Sequence, residues 1–259
     1  MIKNVCKNVT MKNYLKHKIN DMLQTDISND FDFIVDSTSD LEFYAYYHEK
    51  FVKSPLYKNF DVNKMNYQKV LYERKFNTIK KMVNINNKYI LDIGQEDAYY
   101  SKLFNDANAK MVGINVNLTM NYKGDKSSII IYDGTNIPFP NGTFDIIVIH
   151  MVLHHVMTNY YELLTDIYRV LKKSGVLIIE DHDFTDERTS NFIDIYHCLY
   201  EMVESVEFNM DYYNNYEIRR FTKNNLIKDL TKIGFKINKV VAGQNNNPLK
   251  KFYLIANKY

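Results

Sequence analysis

Residues Tyr89–Gly94 read YILDIG, and QEDAYY (Gln95–Tyr100) follows at once. An apolar run of strand length ends in Asp92 and Gly94, and a helix-like segment over 98–104 begins directly after it. Strand, tight turn and helix in that order form the opening of a βαβ nucleotide-binding unit. At such a turn the helix N-terminus offers N–H groups, and a glycine lets the backbone approach a ligand. From here the pattern alternates. Strands fit at 89–93, 110–115, 128–132, 144–149, 175–180, 235–242 and 251–257. Helices fit at 98–106, 118–122 and 158–171, with a last pair at 190–208 and 222–233. Alternation of this kind implies a parallel sheet with helices on both faces. The last two strands are joined by GQNNNP (243–248), too short for a crossover helix, so they are expected to pair antiparallel. The expected fold is α/β, with a seven-stranded, mostly parallel sheet.

Ahead of this region none of the 8 glycines occurs, and helical spacing dominates. Met11, Leu15, Ile19, Met22 and Leu23 lie on one stripe. Ser39 followed by Glu42 is a capping box in front of LEFYAYYHEKF. A third helix, 63–84, puts Met65, Tyr72, Phe76, Ile79 and Val83 on a packing face. Residues 1–62 therefore read as an N-terminal helical extension and 63–259 as the main domain.

Charge is uneven. Residues 1–88 carry 15 Lys/Arg against 10 Asp/Glu, and the remainder 18 against 21, within a formal net charge of +2. A basic N-terminal portion is ordinarily a solvated helical face, and its second reading is a surface for RNA or a protein partner. No apolar run is long enough to span a bilayer, so no membrane is expected. The N-terminus lacks an apolar signal core, and two cysteines make neither a disulfide framework nor a metal cage. A cytoplasmic, reducing setting is expected.

Four blocks carry a family resemblance. LDIG (91–94), DGTNIPFPNGTFDIIVIHMVLHHV (133–156), IYRVLKKSGVLIIE (167–180) and the terminal pair of strands occur in that order. Over about residues 64–258 the chain resembles class I S-adenosylmethionine-dependent methyltransferases, in particular the methyltransferase type 11-like group. EDHD (180–183) also looks like the end of strand five in virus-type members. The resemblance implies a Rossmann-like fold, S-adenosylmethionine as cofactor, and methyl transfer to an O or N atom of an unidentified acceptor. It implies cofactor-binding roles for Asp92, Gly94, Gln95 and Glu96 in the first turn and for Asn115 at the ribose. Asp133 and Gly134 fall at the adenine, and His150 at the methionine end. Each also has a plain structural reading: Asp92 and Asp133 as turn caps, Gly94 and Gly134 as tight-turn residues.

The chain departs from the family's D-x-G-x-G-x-G. Glu96 stands for the middle glycine and Ala98 for the last, while Asn115 replaces the usual acid. Glu96 forfeits easy positive φ and adds a side chain beside the ligand. These departures support an alternative: a catalytically inactive methyltransferase-like subunit with a structural or stimulatory role in a larger complex.

Five of the seven histidines fall within 150–197. His155, Asp181 and His182 form the candidate acid/base set, since a histidine at the pocket mouth can deprotonate an acceptor near neutral pH. The competing reading is that His182 and Asp183 cap the next loop. No HExxH or CxxC spacing accompanies the histidines, so no metal is assigned. His197, Tyr212, Tyr213 and Tyr216 lie where the family places a substrate lid. Arg219 and Arg220 are candidates for phosphate contact or helix capping.

Overall fold

The computed structural model describes residues 1–23, 26–54, 57, 60–117, 129–204, 216–243 and 247–259. The chain forms two compact units. The larger comprises 64–183, 217–243 and 251–259, and the smaller 1–63, 184–216 and 244–250. The N-terminal helices thus share a unit with a segment inserted after the fifth strand.

The larger unit is built on a 7-stranded sheet. Its strands are β1 (Tyr89–Ile93), β2 (Lys110–Asn115), β3 (Ile129–Ile131), β4 (Phe144–His150), β5 (Leu171–His182), β6 (Phe235–Ala242) and β7 (Lys251–Lys258). The order is β3-β2-β1-β4-β5-β7-β6. Strands β1 to β5 pair in parallel, and β7 runs antiparallel to both β5 and β6. The short link between β6 and β7 has the predicted consequence.

Side-chain alternation along the strands divides the core into two layers. Leu91, Ile93, Ile147, Ile149, Leu177 and Ile179 face helices α7 (Tyr160–Val170) and α9 (Lys223–Ile233), meeting Leu163, Leu164, Leu226 and Leu230. Ile90, Ile146, Val148 and Ile178 face α5 (Phe60–Met82) and α6 (Ala98–Asp106), meeting Tyr72, Ile79, Tyr100 and Phe104. Burial on both faces is why β4 reads as a continuous apolar run. Helix α6 starts where Asp97 Oδ1 accepts from the Tyr99 N–H at 2.7 Å.

In the smaller unit, α1 (Ile2–Val5), α2 (Val9–Leu23), α3 (Ser28–Ser37), α4 (Asp40–Val52) and α8 (Glu187–Glu204) supply an aromatic core. Phe31, Phe43, Tyr47 and Phe51 are fully buried, and Tyr14 meets Phe192 edge-on at 5.8 Å. The predicted capping box closes α4: the Ser39 N–H donates to Glu42 Oε2 at 2.7 Å, and Ser39 Oγ accepts from the Glu42 N–H at 3.3 Å.

One boundary and one element differ from the expectation. Helix α7 ends at Val170 and β5 begins at Leu171, because Leu171 pairs with Phe144 ahead of a register shift. Helix α3 had no counterpart in the sequence reading, its DFDF alternation masking a helix. The predicted helix at 118–122 lies outside the described residues.

Candidate functional site

The turn after β1 is fixed by backbone. The Gly94 and Gln95 N–H groups both donate to the Ile114 carbonyl, at 2.8 and 3.1 Å. Gly94 adopts φ +82°, and a Cβ there would stand 2.3 Å from Val152 Cγ2. Only glycine fits both demands. The turn stands beside the β1/β4 boundary, where the strand order reverses and ligands of open α/β sheets bind.

The other predicted cofactor residues take varied places. Gln95 turns inward: its Nε2 donates to the Asp97 carbonyl at 2.9 Å and to Ser101 Oγ at 2.6 Å. It lies over Gly113, where a Cβ would meet its Oε1 at 1.5 Å. Glu96 is half-buried and close enough for its charge to act on Asp92. Asn115 Nδ2 donates to the Gln95 carbonyl at 2.9 Å, and its Oδ1 accepts from the Val116 N–H at 2.7 Å. Its amide therefore braces the turn. Asp133 is exposed and caps its own loop, accepting from the Thr135 N–H at 2.8 Å, the Asn136 N–H at 2.6 Å and Asn136 Nδ2 at 2.6 Å. Those bonds, the Asn136 side chain foremost, hold its carboxyl below the usual range. Gly134 follows at φ +86° with Val116 alongside.

Alternation of side chains brings Asp92, His150 and Glu180 to the face covered by α5 and α6. Burial raises the Asp92 carboxyl to about 7; the Lys75 ammonium pulls it down and Glu96 pushes it further up. His150 Nδ1 lies 3.1 Å from Glu180 Oε2, and His150 Nε2 lies 3.0 Å from the Tyr100 hydroxyl. The assignment satisfying all three groups has Nδ1–H donating to Glu180 and the Tyr100 O–H donating to Nε2. Burial keeps His150 neutral. Burial also opposes charge on Glu180, but hydrogen bonding from His150 and the nearby Lys251 and Lys75 cations outweigh it, so Glu180 stays ionised. Tyr253 stands opposite Glu180 on the neighbouring strand, and burial, then that carboxylate, pushes its hydroxyl's pKa up.

Asp181, one residue on, points to the opposite face. Its Oδ1 accepts from His154 Nδ1 and from the His182 N–H, each at 2.7 Å. Its Oδ2 is buried with no hydrogen-bond partner among the described residues. The His154 ring lies 4.1 Å from that of His155 and 5.3 Å from that of His182, centroid to centroid. Of the predicted set, then, Asp181 and His182 come together, and His154 occupies the carboxylate-paired position in place of His155. His155 keeps an exposed edge; the protein packed around its ring, then His154, hold its pKa down. Asp183 caps α9, accepting from the Lys223 N–H at 2.9 Å and from Lys223 Nζ at 2.7 Å. Arg219 clamps the turn at 153–157, its backbone N–H donating to the His154 carbonyl at 2.8 Å, Nε to Val156 O at 2.8 Å and Nη2 to Met157 O at 2.7 Å.

In the smaller unit the Tyr216 hydroxyl and His197 Nδ1 lie 2.7 Å apart, while Tyr212 and Tyr213 lie outside the described residues. No helix among the described residues is long and apolar enough to cross a membrane.

The sequence reading missed His154, Glu180, Tyr100 and Tyr253. The signal was present in part: in β5, Glu180 and Asp181 must face opposite sides, so two carboxylates imply two partners.

Comparison with known proteins agrees with this architecture. Residues 91–179 match the methyltransferase domain family. The fold is similar to that of a SAM-dependent methyltransferase from Methanosarcina mazei, with a TM-score of 0.54 at 18% identity over 70% of this chain and 96% of that one. It is also similar to a SAM-dependent methyltransferase from Archaeoglobus fulgidus, at TM-score 0.52, 15% identity, and 72% and 94% coverage. The [4+2]-cyclase SpnF shares it at TM-score 0.51, 14% identity, and 71% and 80% coverage. An uncharacterized protein of Methanocaldococcus jannaschii is 34% identical over 101 residues, a match spanning 39% of this chain and 44% of that relative.

Proposed function

We propose that this chain, whose residues 91–179 form a methyltransferase domain on a class I methyltransferase fold, transfers a methyl group from S-adenosylmethionine to an O or N atom of its acceptor. The observation that carries the reading is the strand–turn–helix at Gly94, placed where the strand order reverses.

The residues present fit the cofactor. Positive φ at Gly94 keeps a side chain out of the turn, and Asp92 with Glu96 brings negative charge to the end where a sulfonium and an ammonium would lie. Asn115 Oδ1 keeps a second lone pair for a ribose hydroxyl. Asp133, held as a loop cap, would present its carboxylate toward an adenine amino group. When bound, S-adenosylmethionine supplies an activated methyl group for in-line displacement.

The chain's own residues then have two tasks. The Tyr100–His150–Glu180 chain holds the floor of the site rigid, since a satisfied buried network fixes its members. The buried His154–Asp181 pair is a positioning element: the carboxylate accepts from Nδ1–H and holds the turn that carries His155, whose exposed ring is the group to take the acceptor's proton. Asp181 thus acts through His154, a positioning role.

Incubating the protein with methyl-labelled S-adenosylmethionine and a cell extract separated into small-molecule, RNA and protein fractions tests the reading. Label is expected in one fraction, reduced at least about 100-fold by His155→Gln. The inactive-subunit reading draws on Glu96 and on the commitment of the Asn115 amide to the turn. Transfer to no fraction would favour it.

A further inference from the structure

A cavity of about 370 Å³ opens at the other end of the sheet, at the amino-terminal ends of β4 and β5. Asn84, Lys88, Asp145, Lys172, Lys173 and Ser174 supply its polar lining. Asp145 and His150 are five residues apart on β4, as are Gly175 and Glu180 on β5. At roughly 3.3 Å per residue, each pair is separated by about 17 Å. A molecule seated here does not reach the carboxyl-edge groups, so this is a second site, and the inference stands independently of the proposed activity.

Charge defines what it takes. Three lysines and a single carboxylate line the recess, and that carboxylate is engaged: Asp145 Oδ2 accepts from the Tyr89 N–H and from Lys172 Nζ, both at 2.9 Å. Burial raises the Asp145 carboxyl, but these two donors and the Lys88 charge outweigh it. Among the described residues no carboxylate lies within ion-pair distance of Lys88 or Lys173. The lining therefore carries two uncompensated positive charges in a recess, where the field is focused. The Ser174 hydroxyl and the Asn84 side chain add neutral hydrogen-bonding groups beside them. Ser174 adopts φ +62° at the turn that opens into Gly175 and is exposed to solvent.

We propose that this recess binds the dianionic phosphate of a small phosphate monoester. Lys88 and Lys173 neutralise the dianion, Ser174 and Asn84 take part in hydrogen bonding to it, and the remaining volume holds a group of sugar size.

The test is thermal unfolding of the full chain titrated with ribose 5-phosphate. Ribose, sodium chloride at matched ionic strength and a short single-stranded RNA run in parallel. A saturable rise in Tm with ribose 5-phosphate alone is expected. The same titration of Lys88→Ala and Lys173→Ala should show affinity about tenfold lower or worse for each, with the ligand-free Tm of each variant near wild type. A shift no larger than that of the salt control, or one that both variants retain, overturns the proposal. Binding of the RNA without binding of ribose 5-phosphate overturns it as well and assigns the recess to a polynucleotide backbone.

Discussion

Asp92 is the residue at which fold and function pull apart. A buried carboxyl raised to about 7 favours its neutral form in the folded state, whereas in the unfolded chain it titrates near 3.9. Folding stability is therefore highest below about pH 4 with respect to this group, falls as pH rises from about 4 to 7, and stays reduced above. Asp92→Asn is expected to raise Tm at pH 8 and leave it nearly unchanged at pH 4; the full shift corresponds to about 4 kcal/mol as an upper bound. Equal effects at the two pH values would contradict the assignment. Ligand binding runs the other way, since a cation is attracted to the ionised form. Affinity for S-adenosylmethionine should climb between pH 6 and pH 8 in wild type and be flat across that range in the variant. Glu96 is a companion case. Glu96→Gly should weaken binding if its charge serves the cofactor; tighter binding would make Glu96 an obstruction.

Asp181 carries a different expectation at the same scale. Its buried charge rests on His154 and the His182 N–H, so His154→Ala should destabilise the protein by about 3 kcal/mol in urea denaturation, mainly by stranding a carboxylate. His155→Ala, at an exposed edge, should change stability by less than about 1 kcal/mol. The distinction was not available in the sequence. HisHis reads the same in either order, and only the turn at 153–155, clamped from Arg219, decides which ring meets the carboxylate.

At the scale of elements, legibility followed the strength of the local signal. β1, β2, α6 and α9 fall where periodicity put them, because each has a continuous apolar pattern and a clear cap or turn. Ser39 and Glu42 announced α4 for the same reason. The start of β5 was not legible: Leu171–Gly175 continues the helix pattern of α7, and pairing with Phe144 overrides it. Helix α3 was hidden by its DFDF alternation, which resembles a strand until Phe31 is buried against Phe43. Helix α7 earns its position from packing more than propensity, with Leu163, Leu164 and Ile167 wholly buried on the sheet. Leu164→Ala should cost about 3 kcal/mol, measured as a lower urea midpoint with unchanged slope.

For the molecule as a whole, the motif blocks located the turn after β1, the switch point and the antiparallel end. They did not reveal the pairing of His150 with Glu180 or of His154 with Asp181, because partners 30 and 27 residues apart meet only through strand register. Nor did they show that Asn115 and Gln95 are committed to bracing the turn they were expected to line. The central claim is that this turn, with a glutamate in place of a glycine, still holds a methyl donor. Titration calorimetry of the wild-type chain with S-adenosylmethionine and its demethylated product tests that most directly. The account predicts saturable binding in the micromolar range, about −8 kcal/mol; no binding of either compound up to millimolar concentration would contradict it.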